Sequence, residues 1–183
     1  MPFQRIAPDD ARGGAVRCPL CGVIFNAVGV AGTPERDIES LFLQQLDKNN
    51  RKFNIISGDR VAGIYRRVSI AAPKVPVRQV MLDVGRELGV EGVVVGYVYR
   101  FQERQGGSYA VVQPASVAFE LHLLRVEDGA LVWRAHFDKT QSSLMENLLQ
   151  WTSFYRERGK WVTAEELAEE GMEQTLKAFP GLP

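Results

Sequence analysis

Cysteine and histidine are scarce, with two of each in 183 residues. A small disulfide-built fold is excluded, and a complete zinc ribbon would need a second CxxC that the chain does not have. Charge of one sign is missing as well. The 22 Lys and Arg balance 22 Asp and Glu, for a formal net charge of zero. Without accumulated cations there is no footprint for a phosphate backbone, so nucleic acid is excluded as a partner. Long apolar runs are also lacking: the best stretch, Val23 to Ala31, is short and carries Asn26, so no transmembrane span is expected. There is no internal repeat. What is present is ordinary for a soluble domain, 45% hydrophobic and 24% charged, at a length that buries about two-thirds of the unfolded surface.

The opening residues, MPFQRIAPDDARGG, carry Arg5, Asp9, Asp10 and Arg12 where a signal peptide needs its apolar region. Either the chain is cytoplasmic or an export signal has been removed. Cys18 follows Arg17 rather than a small or aliphatic run, so neither cysteine fits as an acyl acceptor. Pro, Gly and opposed charges without periodicity make residues 1 to 14 a flexible tail, followed by one α/β domain over 15 to 183.

Within that domain, Ala15 to Phe25 is expected to be an initial strand interrupted by Pro19. Thr33 and Pro34 are a good cap and first position for a helix over 34 to 47, with Ile38, Leu41, Phe42 and Leu46 on one face. Phe53 to Ile56 reads as a short strand. Two helices follow, one through Val61, Ile64, Tyr65 and Val68, the other through Val77, Val80, Met81, Val84 and Leu88 with Gly89 as an αL cap. Val93, Val94 and Val95 open a strand with no polar face. Residues 115 to 126 alternate, Glu127-Asp128-Gly129 fits a three-residue hairpin loop, and Leu131, Trp133, Ala135 and Phe137 alternate again. The register pairs Phe119 with Phe137 and Leu123 with Trp133, and on the opposite face Glu120 with His136 and His122 with Arg134. Helices over 143 to 156 and from the capping box Thr163-Ala164-Glu165-Glu166 close the chain. The fold class is α/β (α+β): a mixed sheet with helical crossovers in the first half, an antiparallel meander in the second, and helices packed on the sheet.

Three constellations could carry chemistry. Cys18-Pro19-Leu20-Cys21-Gly22 is half of a zinc knuckle. Its other half is missing, and the following Val23-Ile24-Phe25 favours strand over the helix N-terminus that a thioredoxin-type pair requires. Structural cysteines, a disulfide across a turn, and metal or redox work all stay open, and no metal or cofactor is expected. Gly29-x-x-Gly32 precedes a helix, but Glu35 and Asp37 already complement its dipole, so the loop is a turn rather than a phosphate cradle. Glu120, His122, Arg134 and His136 share one hairpin face, as structural pairs rather than a catalytic group, since no Ser or Asp is tied to either His.

Leu88-Gly89-Val90-Glu91-Gly92-Val93-Val94-Val95-Gly96, a helix end running into a buried strand, and Gly129-Ala130-Leu131-Val132-Trp133 carry a resemblance. Over about residues 15 to 140 the chain resembles a family of bacterial envelope lipoproteins that includes the amino-terminal domain of TolB, CsgG and LpoB. The resemblance implies a non-enzymatic periplasmic domain, derived from an outer-membrane-anchored lipoprotein, that binds a protein partner or contributes to an envelope assembly. It implies no catalytic residues, and any lipid anchor would lie outside this chain. The other reading is a small thiol-redox or metal-binding protein using Cys18 and Cys21. The expected partner surface is residues 140 to 162, where Trp151, Phe154, Tyr155 and Trp161 fall among Arg156 and Arg158, the mixture enriched in interface hot spots.

Overall fold

The computed structural model describes residues 3–8, 13–28, 32–48, 53–106, 111–141 and 161–180. Helix α1, Pro34–Lys48, starts behind Thr33, with Glu35 and Asp37 in its first turn and Lys48 in its last, each complementing the helix dipole. Helix α2 spans Asp59–Ala71 and α3 spans Val77–Leu88. Gly89 closes α3 in the left-handed conformation, at φ 66°, as an αL cap requires. The last helix, α4, spans Ala164–Leu176 behind a complete Thr163/Glu166 capping box.

Four strands form the main sheet: β1 (Phe3–Arg5), β4 (Gly92–Gln102), β7 (Ser116–Arg125) and β8 (Leu131–Thr140), in that order. β1 runs parallel to β4, and β4, β7 and β8 are antiparallel neighbours. The expected hairpin register is the one observed, with Phe119 opposite Phe137, Leu123 opposite Trp133, Glu120 opposite His136 and His122 opposite Arg134. β2 (Gly14–Arg17) and β3 (Ile24–Ala27) make a separate antiparallel hairpin, and β5 (Gln105–Gly106) pairs with β6 (Val111–Gln113).

Three expectations are corrected. The tail over 1 to 14 contains β1, whose Phe3 lies beside Gly96; a Cβ there would sit 2.2 Å from the ring, so the missing side chain makes room for the strand. The single strand over 15 to 25 is instead the β2–β3 hairpin, folded back around Pro19 with Gly22 at φ 79°. Phe53 to Ile56 forms no strand, because Phe53 packs edge-on against Phe179 instead of joining a ladder. Gly29 to Ala31 and the helix expected over 143 to 156 lie outside the described residues, apart from Gly32 of the first loop.

Alternation along β4 and β7 sends side chains into two cores. On one face Val94, Val98, Phe119, Leu121, Trp133 and Phe137 meet α1 and α4. On the other Val93, Val95, Tyr97, Tyr99, Ala118 and Leu124 meet α3 and the β2–β3 hairpin, through Met81, Leu82, Leu20 and Phe25. β7 therefore has no solvent face.

The seating of α3 depends on Gly85. A Cβ at that position would fall 2.5 Å from Val126 Cγ2 and 2.7 Å from Val93 Cγ2, both on stiff β-branched side chains. Gly85→Ala should destabilise by about 1–3 kcal/mol through overpacking. Gly63→Ala in α2, where a Cβ meets nothing within 4 Å, should stabilise by about 0.4–1 kcal/mol. Denaturant midpoints at unchanged slope check both signs.

Candidate functional site

The second face of the sheet holds a cluster of buried polar side chains. Glu120 and His122 lie two residues apart on β7 and so point the same way, and both are fully buried. Above them sits the turn of the β2–β3 hairpin. The Gly22 amide donates to the Cys18 carbonyl at 2.9 Å and the Cys18 amide donates to the Val23 carbonyl at 2.8 Å. The Arg17 guanidinium donates to the Gly22 carbonyl at 2.9 Å. This tight turn carries both thiols toward the sheet, with Cys18 buried and Cys21 half-buried.

The two groups meet. Cys18 Sγ lies 3.8 Å from His122 Nε2, and the Cys21 thiol donates to Glu120 Oε1 at 3.2 Å. His122 Nε2 is also 3.5 Å from Glu120 Oε1. One ligand atom from each of Cys18, Cys21, Glu120 and His122 falls within 4.8 Å of the others.

Supporting groups hold the carboxylate. Arg134 Nε donates to Glu120 Oε1 from the neighbouring strand, and the Tyr99 hydroxyl donates to Oε2 at 3.1 Å. Tyr97 and Tyr99, two residues apart, alternate onto the second face with Val93 and Val95, and the register shift between Val98 and Arg100 turns Arg100 onto that face as well. The Tyr99 ring stacks on Phe25 of the hairpin at 4.1 Å. His122 Nδ1 and the Tyr97 hydroxyl are buried without a hydrogen-bond partner among the described residues, and their rings lie 5.9 Å apart.

Electrostatics follow from this packing. Burial alone would raise the Glu120 carboxyl, but the donors from His122, Cys18 and Arg134 outweigh it and bring its pKa to about 2. Burial works against a charged His122, yet Cys18 and Glu120 together raise its pKa. Cys18 is raised by burial but lowered more by His122 and the turn, for a net value below that of a free thiol. Burial pushes Cys21 up to about 12, with Cys18 and Glu120 adding to the rise. The cluster holds a carboxylate–guanidinium pair with Cys21 protonated beside it, and Cys18 and His122 are each shifted toward the charged form.

This geometry limits the chemistry. A nucleophilic triad uses opposite ring nitrogens of its histidine for nucleophile and orienting acid. Here Cys18 and Glu120 both approach Nε2, so His122 cannot relay a proton between them. Cys18 precedes a turn and strand rather than a helix, so the helix-dipole activation of thioredoxin-type thiols is missing. The four groups do match the donor types of a metal centre.

Of the residues expected at a partner surface, Trp161 is described and is half-buried just before α4. Trp151, Phe154, Tyr155, Arg156 and Arg158 lie outside the described residues. The union of the knuckle with Glu120 and His122 is the feature the sequence reading missed. A signal for it existed: Ala118 and Leu124 flank them on the same face, which marks that face as buried rather than solvated.

No protein-family model and no curated protein matches the chain. Among solved structures it is similar to the PelC dodecamer from Paraburkholderia phytofirmans, at 15% identity and a TM-score of 0.49 over 81% of this chain and 76% of that one. A hypothetical protein, CT253, from Chlamydia trachomatis is similar at 10% identity and 0.48, over 84% and 86%. The LpoB C-terminal domain from Salmonella enterica is similar at 16% identity and 0.36, over 62% and 73%. At these identities no residue role passes from any of them to this chain.

Removing the Glu120 carboxylate would strand Arg134 and the Tyr99 hydroxyl. Glu120→Gln should destabilise the chelator-treated protein by about 3–5 kcal/mol at neutral pH. Because the folded pKa of Glu120 is lowered, its stabilisation is complete above about pH 4.5 and is lost as the pH falls toward about 2. The stability gap between wild type and Glu120→Gln, followed by urea unfolding, should therefore close across that window; a constant gap would assign the effect to shape rather than charge.

Proposed function

We propose that this chain is a non-enzymatic domain of the bacterial cell envelope that acts by binding a protein partner. The observation that carries the reading is the enclosure of its reactive groups. Cys18, Glu120 and His122 are sealed between the sheet and the β2–β3 hairpin, where no substrate meets them, so work at the surface is favoured over catalysis. The envelope assignment rests on the sequence resemblance of the Leu88–Gly96 junction and the Gly129–Trp133 hairpin. Among the described residues no helix is long and apolar enough to cross a membrane.

The proposed partner surface is the segment between β8 and α4. Its two ends are tied together at one place. The Val162 amide donates to the Gln141 side chain at 2.9 Å, the Gln141 amide donates to the Ala115 carbonyl at 3.0 Å, and the Ala164 amide donates to Glu103 Oε2 at 3.0 Å. Trp151, Phe154, Tyr155, Arg156 and Arg158 fall between those ends, with Trp161 at the point of return. Ends held at one place, with aromatic and arginine content between them, favour a recognition segment over a plain connector.

The double variant Trp151→Ala/Tyr155→Ala tests this. It should keep the wild-type melting temperature, while a species retained stoichiometrically by the wild-type chain from solubilised bacterial envelope is lost. A fall in melting temperature of more than about 4 °C, the effect of about 1 kcal/mol in a domain this size, would place the two side chains in the core. Equal retention by both proteins would also overturn the surface.

A further inference from the structure

We propose that Cys18, Cys21, Glu120 and His122 form a binding site for one thiophilic divalent cation, with zinc the ion the donor set suits best. The inference stands apart from the partner reading. Its first support is convergence. A turn in the first hairpin and a strand about 100 positions later bring two sulfurs, one imidazole nitrogen and one carboxylate oxygen within 4.8 Å of one another. Bonds of about 2.0–2.3 Å at the tetrahedral angle place the ligand atoms of zinc about 3.3–3.8 Å apart. The separations of 3.8 Å for Cys18 and His122, 3.5 Å for His122 and Glu120, and 3.2 Å for Cys21 and Glu120 lie at or close to those edges.

Charge is the second support. Two thiolates and a carboxylate carry three negative charges into a buried space. A divalent ion and the Arg134 guanidinium, which already donates to Glu120, cancel them, with His122 neutral. Without the ion that sum is met by protons held on the sulfurs and on His122. Binding therefore releases those protons to solvent while the sulfur and imidazole lone pairs go to the metal, with no change of oxidation state.

The third support is the surrounding shell. Ligating carboxylates are themselves held by hydrogen bonds, and Arg134 and Tyr99 hold Glu120 from two sides. The donor set selects the ion. Paired thiolates with an imidazole favour zinc over magnesium or calcium, which take oxygen. Four protein ligands with Cys18, Glu120 and His122 fully enclosed describe a closed structural centre rather than a catalytic one. The ion would clamp the β2–β3 hairpin onto the sheet. The sequence expectation of no metal rested on the missing half of the knuckle, and β7 offers candidates for that half.

The test uses the full chain, reduced and stripped with a chelator. Zinc titrated against a chromophoric competitor should bind one ion per chain with a dissociation constant below about 100 nM. Cobalt in its place should give the absorption of a tetrahedral centre with a thiolate charge-transfer band, a readout that needs no variant. Cys21→Ser, at the half-buried thiol and checked for folding by circular dichroism, should weaken zinc more than about 100-fold. Arg134→Leu, which alters only the shell, should weaken it about 10–100-fold. No binding by the folded wild type, a cobalt spectrum without thiolate character, or zinc affinity unchanged in Cys21→Ser would each overturn the site. So would a Cys18–Cys21 disulfide in the protein as isolated from cells without reductant.

Discussion

A central strand covered on both faces has no water to offer its polar side chains, and that constraint governs this molecule. β7 runs between β4 and β8, with α1 and α4 on one side and α3 and the β2–β3 hairpin on the other. Most of its residues meet the constraint by being apolar. Glu120 and His122 meet it by being paired. An unpartnered carboxylate in such a place would cost several kcal/mol, so the guanidinium of Arg134, the hydroxyl of Tyr99 and the two thiols are conditions for the strand to exist where it does.

The same constraint explains irregularities elsewhere. Alternation already brings the Tyr99 hydroxyl to Glu120 and its ring to Phe25; the register shift beside Tyr99 disturbs the ladder between β4 and β7, yet it turns Arg100 onto that face too. Arg100 is there buried among Ser116, the Asn26 carbonyl and Asp138, and so fastens β3 to the sheet. The small hairpin buries Phe25, Ala27 and Leu20 but is only two short strands, which are marginal by themselves. Its place on the sheet depends on these side-chain ties as much as on apolar area.

How far the sequence could be read follows from where each decision is made. The β7–β8 register was legible because Gly129 and strict alternation fix it within a few residues. The helix starts at Thr33 and Thr163 were legible because a cap is a local event. β1 was not, because three residues, one apolar, one polar and one charged, carry no period, and their place depends on Gly96, about 90 positions away. The knuckle was seen as half a site for the same reason. Its distance from Glu120 and His122 is set by how the hairpin packs on the sheet, and no spacing along the chain encodes that. The side chains proposed for partner recognition rest on composition alone.

The bonds that tie Gln141 to Val162 have a consequence for descent. Because the chain leaves the sheet and returns to it at one pinned point, the length between departure and return bears little on the strands. Doubling a closed loop costs only about 0.6 kcal/mol. Gln141 and Glu103 hold the seam whatever is spliced into it. Related chains are free to lengthen, shorten or exchange this insert while the hairpin, the buried carboxylate and the two cores stay in register, so the fold would diversify here first.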